Sequence, residues 1–310
     1  MHPQRSPAAT LLALTLGLAA ISTVSAQSAV RYRDSNGQWV FTDRAAAASG
    51  ETLSLGSTPS TLHIAIERSD APDATRLVAV NDCLCVITLH ATIAQSDFSA
   101  LPVDREYRLT LQPSSRQTLA EVRPANAAAR LRLLWKAALG SPQAAHHPLR
   151  PYRAPFAVGT TFMVSQAYPT RITHVTPDNQ YAVDIALPDG TPVYAAREGL
   201  VINVRHDSFR GAPEAAMLDQ ANVIEILHDD GTIGVYGHLH WDSIRVRIGQ
   251  YVPRGEYLAN SGNTGFTTGP HLHFAVWRNI GAADVSVPIQ FAGIGETPVT
   301  PATAASLTAY

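Results

Sequence analysis

Near the C-terminal end of the sequence, Gly269-Pro270-His271-Leu272-His273-Phe274 sets two histidines two positions apart. Alternate residues of a β-strand project to the same side, so both imidazoles can reach one point in space. Upstream lie Tyr236-Gly237-His238-Leu239-His240, an isolated His174, and Asp184 inside the apolar run Tyr181-Ala182-Val183-Asp184-Ile185-Ala186. Two imidazoles aimed at one point, with a distant His and Asp available, are the parts of a zinc site with three protein ligands and one open position. Such a site points to hydrolysis rather than to binding alone. A carboxylate flanked by apolar residues must find a cation or hydrogen bonds, because an unpaired buried charge is prohibitive. A metal meets that demand, and so does an ordinary hydrogen-bonded Asp. Taken singly, the histidines decide nothing. His90, His206 and His228 read as unexceptional, and His240, which shares strand parity with His238, as a secondary candidate. The set carries the inference.

Short strands punctuated by glycine must hold these groups. Over residues 151–295 the pattern predicts strands at 182–186, 192–195, 200–206, 222–228, 233–238 and 272–277, with Asp229-Asp230-Gly231 as a hairpin turn. Helical periodicity is weak, so this zone reads as mostly antiparallel β. Gly190 and Gly199 suit turns on either side of a strand, and the Gly/Thr loop from Ser261 to Gly269 would let a peptide backbone approach closely. Trp241, after the His238 strand, reads as a packed core or rim residue, with groove lining as the other option. The tail of residues 296–310 has no pattern and is expected to lie loosely on the surface.

Residues 61–150 alternate as strands at 62–67, 76–80, 84–91, 107–111 and 130–135, which suggests a small β-sandwich-like domain without a catalytic cluster. His146-His147, in a Pro-rich connection, reads as a solvated linker. Residues 27–60 comprise a short hairpin around the Asn36-Gly37 turn signal and an Ala/Ser/Gly-rich linker from 44 to 60. Residues 1–26 have the form of an export signal, with Arg5, the apolar run Ala8 to Ile21, and Val24-Ser25-Ala26 before the cut. The product would be exported, periplasmic or secreted. No later segment is apolar enough to span a bilayer.

With 23 Lys and Arg against 25 Asp and Glu in 310 residues, nothing suggests a nucleic-acid partner. The two cysteines, Cys83 and Cys85, would share a face on a regular strand, too far apart and too parallel for an unstrained disulfide. They read as small apolar core residues, with a strained or bulge-supported disulfide as the alternative.

Within residues 151–295 the chain resembles the lysostaphin/LytM-type zinc metallopeptidases, peptidase family M23. The resemblance rests on Tyr181-Ala-Val-Asp184-Ile-Ala-Leu-Pro-Asp-Gly190-Thr-Pro-Val193, Ala195-Ala-Arg-Glu-Gly199-Leu-Val201, Asp230-Gly231-Thr, Tyr236-Gly-His238-Leu, Gly249-Gln-Tyr-Val-Pro-Arg-Gly255 and Ser261-Gly-Asn-Thr-Gly265-Phe-Thr-Thr-Gly269-Pro-His271-Leu-His273-Phe274. It covers about residues 165–278. It implies an antiparallel LytM-type, duplicated-hybrid-motif-like fold, one Zn2+ per chain held by His174, Asp184 and His273, and His238 and His271 as catalytic groups flanking the activated water. It also implies a peptidoglycan peptide as substrate, cut at a stem peptide or cross-bridge. The commonest family pattern sets the first His four positions before the Asp. That position is Gln180 here, so the ligand role falls to His174, with Val175 to Asn179 as an inserted loop. Two other functions compete: a LytM-type activator of a wall amidase, whose members typically lose ligands, and a wall-binding role for residues 61–150. The N-terminal zone is also a candidate for occluding the groove.

Overall fold

A computed structural model describes residues 28–33, 39–42 and 51–54, and residues 64–310 apart from 72–73, 95–104, 124–131 and 282. The segment read as an export signal lies outside the described residues. The chain divides into two units, Met1–Ser57 and Thr58–Tyr310. In the first, Ser28–Arg33 pairs antiparallel with Trp39–Thr42, the hairpin expected around Asn36-Gly37. Its other edge pairs with Glu51–Ser54, a strand inside the segment read as linker. Four residues are too few for alternation to stand out from an Ala/Ser/Gly background.

The second unit is mainly β and almost wholly antiparallel, as the sequence pattern predicts. At its centre is a nine-stranded sheet. Across it run Tyr251–Val252, Gly199–Arg205, Val223–Leu227, Ile233–Gly237, Leu272–Asn279, Val183–Ile185, Thr161–Gln166 and Ser306–Thr308, with Asp284–Ser286 continuing beside Leu272–Asn279. The Asp230 carboxylate closes the 229–231 hairpin, accepting from the Thr232 N–H at 3.0 Å and its hydroxyl at 2.6 Å. Gly231, at φ +80°, supplies the left-handed turn residue.

Strand alternation divides the residues of this sheet between two faces. From Leu272–Asn279, the residues Leu272, Phe274 and Val276 enter a core with Tyr152, Ile185 and Tyr236. His273, Ala275, Trp277 and Asn279 face the other way, and Ala275 is buried in a second cluster.

That second cluster belongs largely to residues 64–139. These form two three-stranded sheets, Ile64–Asp70, Thr75–Asn81 and Ser115–Val122 in one, and Arg105–Leu111, Ile87–Ala94 and Arg132–Leu139 in the other. Leu77, Ile87, Leu89 and Leu119 pack between them, a sandwich-like arrangement. Strand Ser115–Val122 was not expected, because its opening Ser-Arg-Gln-Thr is polar and largely exposed. The same cluster takes in Ile202, Ile233, Val235 and Ala275 of the central sheet, and Ala182 just before Val183–Ile185. Asn279, 1% exposed, donates through Nδ2 to Gly140 O at 2.8 Å and lies 3.1 Å from Thr88 Oγ1. The two zones therefore share one core.

Three expectations need correction. Cys83 and Cys85 are disulfide-bonded, with Cα atoms 5.3 Å apart. They stand in a bend before Ile87–Ala94 rather than on a strand, and the bend brings the two backbones within bridging range. The tail is not loose: Ser306–Thr308 forms the edge strand on Thr161–Gln166, and Leu307 and Ala309 are 3% and 1% exposed. The connection through His146-His147 is anchored, although His147 itself is exposed: the His147 N–H donates to Asp230 Oδ2 at 3.0 Å, and His146 Nε2 lies 3.2 Å from the Tyr152 hydroxyl. Among the described residues, no helix is long and apolar enough to cross a membrane.

Candidate metal centre

One row across the sheet builds the site. Gln166 pairs with Asp184, Asp184 with His273, and His273 with Gly237. Directly paired residues share a face, so the register alone sets the Asp184 carboxylate beside the His273 ring. His273 Nδ1 lies 2.9 Å from Asp184 Oδ1.

His174 reaches the row from the loop after Thr161–Gln166. Gln166, 4% exposed, holds the loop: its Oε1 accepts from the Thr173 N–H at 3.2 Å and its Nε2 donates to Thr173 Oγ1 at 3.0 Å. The inserted residues are anchored further on, where the Ser286 hydroxyl donates to Pro177 O at 3.0 Å and accepts from the Tyr181 N–H at 3.0 Å. So held, His174 is buried with Nε2 3.1 Å from Asp184 Oδ2. Gln180, at the family's commoner ligand position, instead lies with its Oε1 3.5 Å from Arg171 Nη2.

His174, Asp184 and His273 each offer one ligand atom, and these atoms lie within 4.8 Å of one another. Two imidazole nitrogens and one carboxylate oxygen are a donor set that zinc accepts. Burial works against the charge of Asp184, but the hydrogen bonds from His174 and His273 outweigh it and hold its carboxyl well below the usual range. His174 Nδ1 is buried without a hydrogen-bond partner. The donor set and its tight convergence fit a divalent cation.

His238 and His271 stand beside this group, their ring centroids 4.5 Å apart, and His238 is 5.8 Å from His273. At φ +60°, His238 has a left-handed backbone, uncommon for a residue other than glycine. That turn ends Ile233–Gly237. A carbonyl can only accept, so His238 Nδ1, 2.7 Å from Thr264 O, carries a proton there. His271 Nδ1 likewise donates to Gly269 O, at 2.8 Å. In the neutral form both rings present Nε2 with a free lone pair. Burial, with His271 and His273 nearby, pushes His238 down to about 3, which keeps it neutral near pH 7.

The acceptors behind these rings were invisible in the sequence. Thr264 hydrogen-bonds Leu239 O at 2.9 Å, and Asn222, fully buried, donates to the same oxygen at 3.1 Å. Thr267 sits in the bend that aims His271, accepting from the Gly269 N–H at 3.2 Å. Only the Gly/Thr composition of 261–269 hinted at a shaped loop. The two sheets of residues 64–139, the N-terminal sheets of this unit, cover this sheet face from Ala275 onward, while the His271 and His273 side chains stay 16% and 15% exposed. Trp241 is 53% exposed rather than packed.

Residues 178–285 match the family model described as Peptidase family M23. Over 142 residues the chain is 32% identical to peptidoglycan DD-endopeptidase ShyA of Vibrio cholerae, covering 43% of this chain and 30% of that protein. It is 31% identical over 127 residues to lysostaphin of Staphylococcus simulans, covering 39% of this chain and 24% of that protein. Among solved structures, a point mutant of the catalytic domain of the prophage-encoded M23 protein EnpA from Enterococcus faecalis aligns at 26% identity and a TM-score of 0.33, covering 43% of this chain and 92% of that one. The chain thus spans under a third of the length of these two curated relatives.

Proposed function

We propose that this chain is a zinc-dependent endopeptidase that hydrolyses peptide bonds in peptidoglycan stem peptides or cross-bridges, outside the cytoplasm. The observation that carries the reading is the convergence of His174, Asp184 and His273 with His238 and His271 alongside. The curated relatives named for peptidoglycan cleavage support the substrate class.

His174, Asp184 and His273 would hold the metal. When bound, zinc supplies a Lewis acid for the scissile carbonyl and lowers the pKa of water. The chain's own groups do the rest. His238 and His271 each keep Nδ1–H on a backbone carbonyl, which fixes the ring and leaves Nε2 to take a proton from the attacking water. Once protonated, the same Nε2 becomes a donor, either to the oxyanion of the tetrahedral state or to the leaving amine. A non-catalytic activator has no need of these five side chains together, and all five are present.

Zinc analysis and peptide release from purified peptidoglycan test the reading together. The mature protein should carry about one zinc and release new amines in a chelator-sensitive way, and Asp184→Ala should lose both. Wild-type protein that binds zinc but releases no amines would refute the enzymatic reading and favour the activator.

A further inference from the structure

We propose that His240 and Trp241 form a substrate subsite beside the metal centre, where His240 Nε2–H donates to an oxygen of the wall peptide and the Trp241 indole covers its adjoining apolar part. The proposal rests on the endopeptidase reading above.

Position is the first argument. Gly262 pairs with His271, so the Cα direction that a Gly262 side chain would take is the side on which His271 projects. That direction is filled by backbone: a Cβ on Gly262 would come within 2.5 Å of His240 N and 2.7 Å of His240 Cα. The His240 main chain therefore lies on the His271 side of the sheet. Two strand spacings, about 10 Å, bound its distance from His271.

The second argument is rigidity. The His240 N–H donates to Asn260 O at 3.0 Å. Ser243, 4% exposed, donates to His240 O at 2.9 Å and accepts from the Asn260 N–H at 2.9 Å. The loop starts at His238 and is closed at its base, yet it presents an indole 53% exposed. The two rings adjoin, with centroids 6.1 Å apart and planes 32° apart. An exposed indole on an anchored loop offers a large amphipathic contact face.

The third argument is the tautomer. His240 Nδ1 accepts from the Asp242 N–H at 3.4 Å. The proton of the neutral ring is then on Nε2, the reverse of His238 and His271. His240 is half-buried, and its Nε2, which has no hydrogen-bond partner among the described residues, reaches solvent. A neutral N–H donor suits a peptide carbonyl or a carboxylate, the two acceptors a wall peptide carries. His240 thus supplies a hydrogen bond for binding, where its two neighbours supply lone pairs for chemistry.

The test uses the full zinc-loaded chain with two substrates, a synthetic cross-linked stem-peptide dimer with free C-terminal carboxylates and its C-terminally amidated counterpart. His240→Ala should raise KM about five- to tenfold, the worth of one neutral hydrogen bond, with kcat within about twofold and zinc content unchanged. His240→Gln, which keeps an N–H near the Nε2 position, should recover most of the loss. Equilibrium binding is read separately from the tryptophan fluorescence of a His271→Ala background, which does not consume the peptide. There His240→Ala should weaken affinity by the same factor, and Trp241→Phe should remove most of the signal. A loss with both dimers identifies a backbone carbonyl as the acceptor; a loss with the free acid alone identifies a carboxylate. Unchanged affinity in His240→Ala, a loss confined to kcat, or a glutamine variant no better than alanine would overturn the subsite. Should the wild type cleave neither dimer while binding still depends on His240, the subsite stands and the endopeptidase reading falls.

Discussion

Replacing Glu225 by glutamine removes one titrating proton from the middle of the central sheet and changes little else. Glu225 is 7% exposed, pairs with Asn203 on one side and Val235 on the other, and its Oε2 has no hydrogen-bond partner. Burial pushes its carboxyl up from 4.5 to about 7, against the opposing pull of Asn203 and Arg205, and Asp284 adds to the rise. The native chain therefore keeps this proton over a pH range where the unfolded chain has released it. Stability falls as pH climbs from about 4.5 to about 7 and stays reduced above that. The interval is about 2.5 units between those two values, and at about 1.4 kcal/mol per unit the loss is about 3 kcal/mol. His228, pushed by burial down to about 4, gives stability the opposite slope over part of the same interval. The readout is accordingly the difference between wild type and Glu225→Gln, in which His228 cancels. Urea unfolding at pH 4.5, 6 and 8 should show that difference growing in the variant's favour by about 3 kcal/mol. A difference that stays flat with pH would mean that Glu225 has an ordinary pKa in the native state. One that grows in the wild type's favour would mean that Arg205 holds it ionised. Either result refutes the reasoning.

Three further outcomes are expected. His238→Ala and His271→Ala should keep about one zinc while turnover drops by at least about a hundredfold; metal loss in either would contradict the roles assigned to them. Gln166→Ala removes the side-chain bonds to Thr173 and frees the His174 loop. Zinc affinity, measured by competition with a chromophoric chelator, should weaken about 10- to 100-fold without any ligand being changed, and unchanged affinity would deny Gln166 that role. Asn279→Ala leaves the Gly140 carbonyl and the Thr88 hydroxyl without this partner, beneath the N-terminal sheets. A cost of about 2–4 kcal/mol should appear in the unfolding midpoint, and a loss under about 0.5 kcal/mol would place the docking energy elsewhere.

What could be read from the sequence follows from which constraints are local. The His-Leu-His spacing fixes a shared face for His271 and His273 whatever the rest of the chain does. The apolar flanks of Asp184 likewise announce a buried strand. His174 is different, because its reach depends on Gln166 bonding to Thr173 and on a register shift between Val164 and Gln166. Neither has a signature in composition or periodicity. The strand Ser306–Thr308 was missed for a similar reason: it is three residues long, with one leucine inside a Pro/Thr/Ala tail, and it is a strand because Thr161–Gln166 offers an open edge. The Cys83–Cys85 bridge was misjudged because strand geometry was assumed where the chain bends. In each case a long-range contact overrode a weak local preference.

The same strand that supplies His273 also carries the join to the N-terminal sheets, and alternation makes the two inseparable. Along one face of Leu272–Asn279 stand His273 at the metal centre, then Ala275 within the shared core, then Trp277, then Asn279 bonded to Gly140. Successive members of that series are about 7 Å apart. A slip of one residue in its pairing with Ile233–Gly237 would turn Leu272 and Phe274 to the site and His273 into the aromatic core. The apolar contacts beneath Ala275 thus help to hold the register that sets His273 opposite Asp184. On this geometry the N-terminal sheets are part of what keeps the ligand row aligned, and loosening them at Asn279 should be felt at the metal before it is felt at the substrate.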